Sequence, residues 1–254
     1  MHMPRVKSKI MNNYKVTIQY DGTNYAGWQI QLNSMTVQQK IVDAVEVVIR
    51  ERVNLIGSGR TDTGVHALGQ VANFRTEQEL DLYKFRYQLN SILPADISIT
   101  QIEKADENFH ARFDAKSRSY IYLFTHSKSP FYFKYSHYFP QLNKMDLSEL
   151  NKISNALIGE HDFTSFSRKN PDIDNKSCDI SEIRWRRGKE LSTFYITANR
   201  FMHGMVRTII GTLLYTAGQK LDEKYLIEIL NQRNREEADE SVPAKGLYLF
   251  KVRY

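Results

Sequence analysis

The stretch Gly57-Ser-Gly-Arg-Thr-Asp-Thr-Gly-Val-His66 gathers a cation (Arg60), a hydroxyl (Thr61) and a carboxylate (Asp62) within one glycine-punctuated run. Its glycines, Gly57, Gly59 and Gly64, let the backbone turn sharply and take positive φ where that is required. An ionised carboxylate presented on such a turn can act as a nucleophile or as a base. The same residues also suit a plain loop, in which Asp62 closes an Asx turn and Arg60 braces a neighbour. Taken alone, the loop leaves both readings standing.

Other chemistries fit less well. Gly59 and Gly64 have the spacing of a phosphate-binding loop, but Val65 and His66 stand where Lys and Ser or Thr are needed. That reading is excluded for want of its main electrostatic partner. No G-x-S-x-G elbow anchors a serine hydrolase. The seven histidines form no H-E-x-x-H, and a single cysteine cannot complete the usual zinc sets. His66, His110 and His161 therefore read as structural residues and not as metal ligands. Cys178 lies near Asp172, Asp174 and Asp179, which disfavour a thiolate, so it is not read as a nucleophile.

Alternating strands and amphipathic helices must position this loop. Asn13–Tyr20 alternates as a strand, closed by the Asp21-Gly22 turn. A helix begins near Thr36, where Thr36 and Gln39 make a capping-box pattern and Val37, Ile41, Ala44, Val45 and Val48 share a face. Val53–Ile56 reads as a short strand into the glycine loop, and Val65–Thr76 as a strand out of it. Asp81–Leu93 is helical up to Pro94, and Asp96–Glu103 is a strand.

Beyond Asn108–Asp114, strands are expected at Ser117–His126, Gly246–Arg253 and a hairpin of Ile180–Arg187 with Leu191–Asn199. Helices are expected at Asp146–Leu157, Met202–Ala217 and Asp222–Gln232, the second with a buried stripe of Val206, Ile209, Ile210, Leu213, Leu214 and Ala217. Lys128–Lys144 and Phe166–Cys178 are long irregular segments, a kind that is usually either functional or mobile. Short turns between adjacent strands favour α+β over an alternating parallel fold.

The chain has 254 residues, 41% of them hydrophobic, enough for one large domain or two modest ones sharing a sheet. No apolar run reaches the roughly 18 residues of a membrane helix, and no apolar region follows the basic start. A lone cysteine excludes an internal disulfide and points to a reducing, cytoplasmic address. The net charge of +6 is modest, but its distribution is not uniform. Basic residues cluster at Arg5–Lys9, Arg168–Lys169, Arg184–Lys189 and Arg200–Arg207, with aromatics interleaved as in Arg118-Ser-Tyr-Ile-Tyr122 and Phe131-Tyr-Phe-Lys-Tyr135. Cations for phosphates and rings for splayed bases suit RNA. Half-buried strands with solvated charges outside would produce the same composition.

The run Gly59-Arg-Thr-Asp-Thr-Gly-Val-His-Ala-Leu-Gly-Gln-Val-Ala-Asn-Phe74 closely resembles the active-site motif of the tRNA pseudouridine synthase A family, usually G-R-T-D-A-G-V-H-A-x-G-Q-V. Thr63 replaces the common alanine and leaves Arg60 and Asp62 in place. Further blocks resemble the family in order along the chain: Tyr20–Gln29, Asn108–Phe113, Arg118–Tyr122, Asp162–Phe166, Asn199–Arg207 and Ala244–Leu249.

The resemblance implies an isomerase that converts uridine to pseudouridine at positions thirty-eight to forty of the tRNA anticodon arm, with no metal or other cofactor. It implies an α+β fold of two similar halves, residues 1–106 and 107–254. These join in one extended, mainly antiparallel sheet with flanking helices and an active cleft between them. It also implies a homodimer across which tRNA lies.

Residue by residue, the resemblance makes Asp62 the catalytic carboxylate and Arg207 the cation that keeps it charged beside phosphates. Tyr120 would face the flipped uracil, its ring stacking and its hydroxyl moving a proton from C5. Leu247 would close the other side of the base, with Gly246 allowing close backbone approach. Arg60 would fill the gap left by the base. Attack at C1′, abstraction from C2′ and addition to C6 are all open to such a site. A tRNA-binding chaperone of the same fold without catalysis is the competing reading, and the intact Asp62, Tyr120 and Arg207 set speaks against it.

Overall fold

The computed structural model describes residues 11–169 and 174–254. The basic cluster Arg5–Lys9, Asp172 and the centre of the Phe166–Cys178 segment lie outside the described residues.

The chain before residue 106 forms β1 (Asn12–Tyr20), α1 (Val37–Ile49), β2 (Ile56–Gly57), β3 (His66–Thr76), α2 (Leu82–Ile92) and β4 (Ile97–Ala105). After it come β5 (Ser117–Thr125), β6 (His137–Tyr138), α3 (Leu147–Ser154), β7 (Gly159–Asp162), β8 (Ser177–Arg186) and β9 (Leu191–Ala198). Two helices, α4 (Met205–Gly218) and α5 (Glu223–Gln232), precede the last strand, β10 (Leu247–Arg253).

The strands join in one sheet of order β4-β1-β3-β10-β5-β9-β8-β7, with β2 added to β3 and β6 to β5. Most ladders are antiparallel; β10 with β3 and β6 with β5 run parallel. This is the α+β architecture with an extended, mainly antiparallel sheet that the family resemblance implies. The last strand returns to the middle of the sheet, between β3 and β5. Its ladder with β3 is short, pairing only Tyr248 with His66 and Leu249 with Ala67. Side chains reinforce that seam.

Local sequence explains the elements. Tyr14, Val16, Ile18 and Tyr20 bury one face of β1, and Tyr120, Tyr122 and Phe124 do the same in β5. Thr36 caps α1 by accepting from the Gln39 amide at 3.4 Å. The reciprocal half of the expected capping box is not made, because the Gln39 side chain donates to Asp43 at 2.6 Å. Asp81 caps α2, which ends at Leu93 in an extended conformation that the following proline favours.

Several boundaries differ from the sequence expectation. The strand expected at Val53–Ile56 is reduced to Ile56–Gly57, since only these residues reach β3. The helix ending at Leu157 tightens into a 3₁₀ turn after Ser154. The segment Lys128–Lys144 holds β6 and a 3₁₀ turn, and β7 was not foreseen. The helix expected from Met202 starts at Met205, after Gly204 at φ +75°. One contiguous core runs from Tyr14 in β1 to Val252 in β10.

Candidate active site

The glycine loop is built rigidly from below. Gln70 on β3 is fully buried; it accepts from the Ser58 hydroxyl at 2.7 Å and donates to the Gly59 carbonyl at 2.9 Å. Thr61 shares a buried 2.8 Å hydrogen bond with the Tyr20 hydroxyl. The Thr61 carbonyl accepts from the Trp28 amide at 3.1 Å. Gly27, at φ +87°, packs so closely that a Cβ there would stand 2.5 Å from that same carbonyl oxygen. Thus residues 20–28 clamp the backbone immediately before Asp62.

Arg118 ties the loop to the other half of the sheet. Its guanidinium, from the start of β5, donates to the carbonyls of Ser58, Arg112, Ala115 and Asn199. His66 plays a similar part at the seam. Its ring stacks on Tyr248 at 4.7 Å, with Nε2 3.1 Å from the Lys245 carbonyl and Nδ1 accepting from the Gly22 amide. Burial pushes the His66 pKa below its ordinary value, against the pull of the Asp21 carboxylate 3.0 Å away.

Held in this way, the Asp62 carboxylate is 18% exposed and meets the Arg207 guanidinium and the His203 ring at the start of α4. Arg207 Nη1 stands 3.6 Å from Oδ2, and His203 Nε2 stands 3.2 Å from Oδ1. Arg207 is itself fixed, since its Nε donates to the Val242 carbonyl at 2.7 Å. The adjoining Pro243 carbonyl accepts from Tyr122 at 2.8 Å. Helix α4 and the segment entering β10 therefore set the cation together.

The remaining wall is aromatic and aliphatic. Tyr120 is buried, meets Phe201 edge to face at 5.2 Å, and lies within the field of Asp62. Burial, reinforced by the Asp62 charge, pushes its phenol well above the ordinary tyrosine pKa, so the hydroxyl keeps its proton at neutral pH. Leu247 is buried at the start of β10, opposite Tyr122 in the ladder, two residues before Leu249 opposite Tyr120. Gly246 allows this approach, because a Cβ there would lie 2.6 Å from the Tyr122 ring.

The structure thus brings Asp62 and Arg207 together, sets Tyr120 in reach of the same charge, and places Leu247 on the adjacent strand. Arg60 is exposed on the loop and hydrogen-bonds to none of these residues. The sequence reading missed four supporting residues: His203, Gln70, Arg118 and Tyr20. The i, i+4 spacing of His203 and Arg207 was the available signal for the first. His110 accepts from the amides of Arg112 and Phe113, and His161 contacts the Ile158 carbonyl, so both are structurally engaged. Burial raises the thiol pKa of Cys178.

Comparison with known proteins bears on this arrangement. A family model described as tRNA pseudouridine synthase matches residues 16–114 and 153–254. The chain belongs to that family. The matched segments carry Arg60, Asp62, His203, Arg207 and Leu247, while Tyr120 falls between them.

Family relatives match nearly end to end. The tRNA pseudouridine synthase A of Thermoanaerobacter sp. (strain X514) is 38% identical, over 96% of this chain and 100% of the relative. That of Brachyspira hyodysenteriae is 42% identical, over 94% and 96%. That of Caldicellulosiruptor saccharolyticus is 41% identical, over 96% and 100%. Among solved structures, the archaeal box H/ACA sRNP Nop10–Cbf5 complex is similar at a TM-score of 0.34 and 11% identity, covering 80% of this chain and 43% of that one.

Proposed function

We propose that the chain isomerises uridine to pseudouridine in the anticodon arm of tRNA, at positions thirty-eight to forty, with Asp62 as the reacting carboxylate. The observation that carries this reading is the Asp62 side chain itself, rigidly mounted, flanked by the Arg207 guanidinium and the His203 ring and still open to solvent. The reaction breaks the C1′–N1 bond, turns the uracil and rejoins it through C5. Neither atom can be reached inside a duplex, so the nucleoside must first leave the stack.

In the proposed complex the flipped uracil lies between Tyr120 and Leu247. Arg207 sets its positive charge beside Asp62, opposite in sign to the phosphates of the substrate. Because the Tyr120 phenol is protonated, it can take a proton from C5 only as it passes its own onward. Arg60, exposed and unengaged by the site, supplies a cation for the space the base vacates. The division into residues 1–106, with the Asp62 loop, and 107–254, completing the cleft, belongs to the same reading. So do a homodimer across which tRNA lies and a cytoplasmic place of action. Among the described residues no helix is long and apolar enough to cross a membrane. Sedimentation at micromolar concentration tests the dimer.

Asp62→Asn tests the chemistry. Tritium release from tRNA labelled at uridine C5 should fall by about a thousandfold or more, while tRNA binding stays within about twofold of wild type. Undiminished release would remove Asp62 from the reaction.

A further inference from the structure

Phe113, 75% exposed, is held out into solvent by a turn that is itself locked. The His110 imidazole stacks on the ring, with centroids 4.3 Å apart and planes 29° from parallel. The Arg112 guanidinium lies 5.6 Å from the same centroid. His110 also fixes the backbone that carries the ring, since its Nδ1 accepts from the Arg112 and Phe113 amides at 3.2 and 3.3 Å. The Asp114 carboxylate accepts from the His110 amide at 2.8 Å, and the Asp114 amide donates to the His110 carbonyl at 3.1 Å. From outside the turn, buried Asn73 accepts from the Ala111 amide and Tyr254 donates to the Ala111 carbonyl. Arg118 then joins the turn to the Asp62 loop. Its Nη2 donates both to the Arg112 carbonyl at 2.7 Å and to the Ser58 carbonyl at 2.8 Å, so the two backbones share one donor.

We infer that Phe113 is a stacking platform for an unpaired tRNA nucleobase that neighbours the nucleoside being isomerised. The inference rests on the reading that the chain acts on a tRNA nucleoside at Asp62. Drawing one nucleoside out of its stack leaves the face of the next base without a partner. An aromatic ring in a set position can take that partner's place. The imidazole covers one face of the Phe113 ring, and the open remainder is available to a base. Arg112 and exposed Lys116 supply charge for the adjoining phosphates. A loosely held ring would lose freedom on stacking, whereas the locked turn has met most of that cost beforehand. An exposed ring also suits contact with a second copy of this chain. The cations beside it and the shared tie to the Asp62 loop favour the nucleic acid, and experiment separates the two occupants.

Four variants, measured by filter binding with a full-length tRNA, make the test. Phe113→Ala should weaken binding by about tenfold, and Phe113→Leu, which keeps apolar bulk without a π face, should not recover it. Phe113→Tyr should bind within about twofold of wild type. Phe113→Trp should bind as well and adds a spectroscopic readout. Trp28 and Trp185 are buried, so the new exposed indole should lose emission on adding tRNA to an extent the wild type does not show. Unchanged melting temperatures, and unchanged sedimentation without tRNA, show that neither folding nor assembly is the cause. Three results would each overturn the inference: an Ala variant that binds like wild type, a Leu variant as tight as Tyr, or an indole whose emission tRNA leaves alone. An Ala variant altered only in sedimentation would give the ring to a contact between copies and overturn it too. Wild-type protein that releases no tritium from C5-labelled tRNA condemns the underlying reading itself. Wild-type release beside undiminished binding by Phe113→Ala condemns only the platform.

Discussion

Residues 57–66 and residues 128–136 are both irregular connections that reach the same seam, and they are built in opposite ways. In the first, Ser58 and the Gly59 carbonyl are locked to Gln70 beneath them, and Thr61 is held by Tyr20 and Trp28 as residues 20–28 close over the back. In the second, Phe131 is 85% exposed and Phe133 is 66% exposed. The Lys245 ammonium lies 4.4 Å from the Phe133 ring centroid. Only the far end of that segment is tied down: Tyr135 donates to Asp21 at 3.0 Å, and its carbonyl accepts from Tyr248 at 2.7 Å. A group that must meet a reacting atom needs a fixed mount, because misplacement by about an ångström costs orders of magnitude in rate. Rings that meet a long polyanion need only be available.

The sharpest way to break this contrast is to loosen the mount without touching the site. Gly27→Ala puts a Cβ against the Thr61 carbonyl at a backbone conformation, φ +87°, that alanine resists. The strain must be relieved by moving the chain next to Asp62. The expected result is a fall of roughly a hundredfold in single-turnover rate, with tRNA affinity nearly unchanged and a lower unfolding midpoint. Wild-type turnover in this variant would mean that rigidity behind the loop is irrelevant to the chemistry.

Why residues 20–28 behave in this way was only half visible in the sequence. The glycine loop, the strand that follows it and the stripe of α4 were legible, because period and turn chemistry are local properties. Family resemblance flagged Tyr20–Gln29 as a block but gave it no task. Its task is a long-range contact, set by Gly27 meeting Thr61 across the fold, and no spacing along the chain encodes that. Arg118 is hidden for the same reason: it reads as one more strand cation, yet it joins the nearby Arg112 and Ala115 carbonyls to those of Ser58 and Asn199 in distant segments. His203 was nearer to hand. It sits four residues before Arg207, and a helix start brings such residues to one side, but its partner Asp62 is 141 positions away. The strands missed altogether, His137–Tyr138 and Gly159–Asp162, are short and have no alternating apolar pattern, so only their pairing with β5 and β8 defines them.

A gentler test addresses the seam that both segments share. In the folded chain burial holds the His66 pKa below its ordinary value of 6.5. The unfolded chain therefore binds more protons as the pH falls past that value. This neutral histidine's stabilisation is complete above pH 6.5 and is lost as the pH falls through the lowered folded value. Wild-type melting temperature should drop between about pH 7.5 and pH 5.5, and His66→Gln should flatten that drop. It will not abolish it, because burial also lowers the pKa of His126 and His137, which contribute with the same sign. Parallel melting curves for the two proteins would show that the seam does not depend on a neutral His66.

The smallest stability effect is expected at the exposed tip. Phe131→Ser with Phe133→Ser removes rings that have little burial to lose, so the unfolding free energy should shift by no more than about 0.5 kcal/mol. The rate of bound tRNA turning over should be unaltered, since neither ring touches the Asp62 mount. If the rings stack on tRNA, its affinity should fall, because ring–base stacking contributes about 1–3 kcal/mol for each base involved. Fluorescence titration with tRNA and denaturant unfolding of the same sample read both quantities. A large loss of stability would make the tip part of the core after all. A loss of rate at saturating tRNA would join it to the Asp62 loop, and the division between a fixed mount and an available surface would fail at the point where it looks most secure.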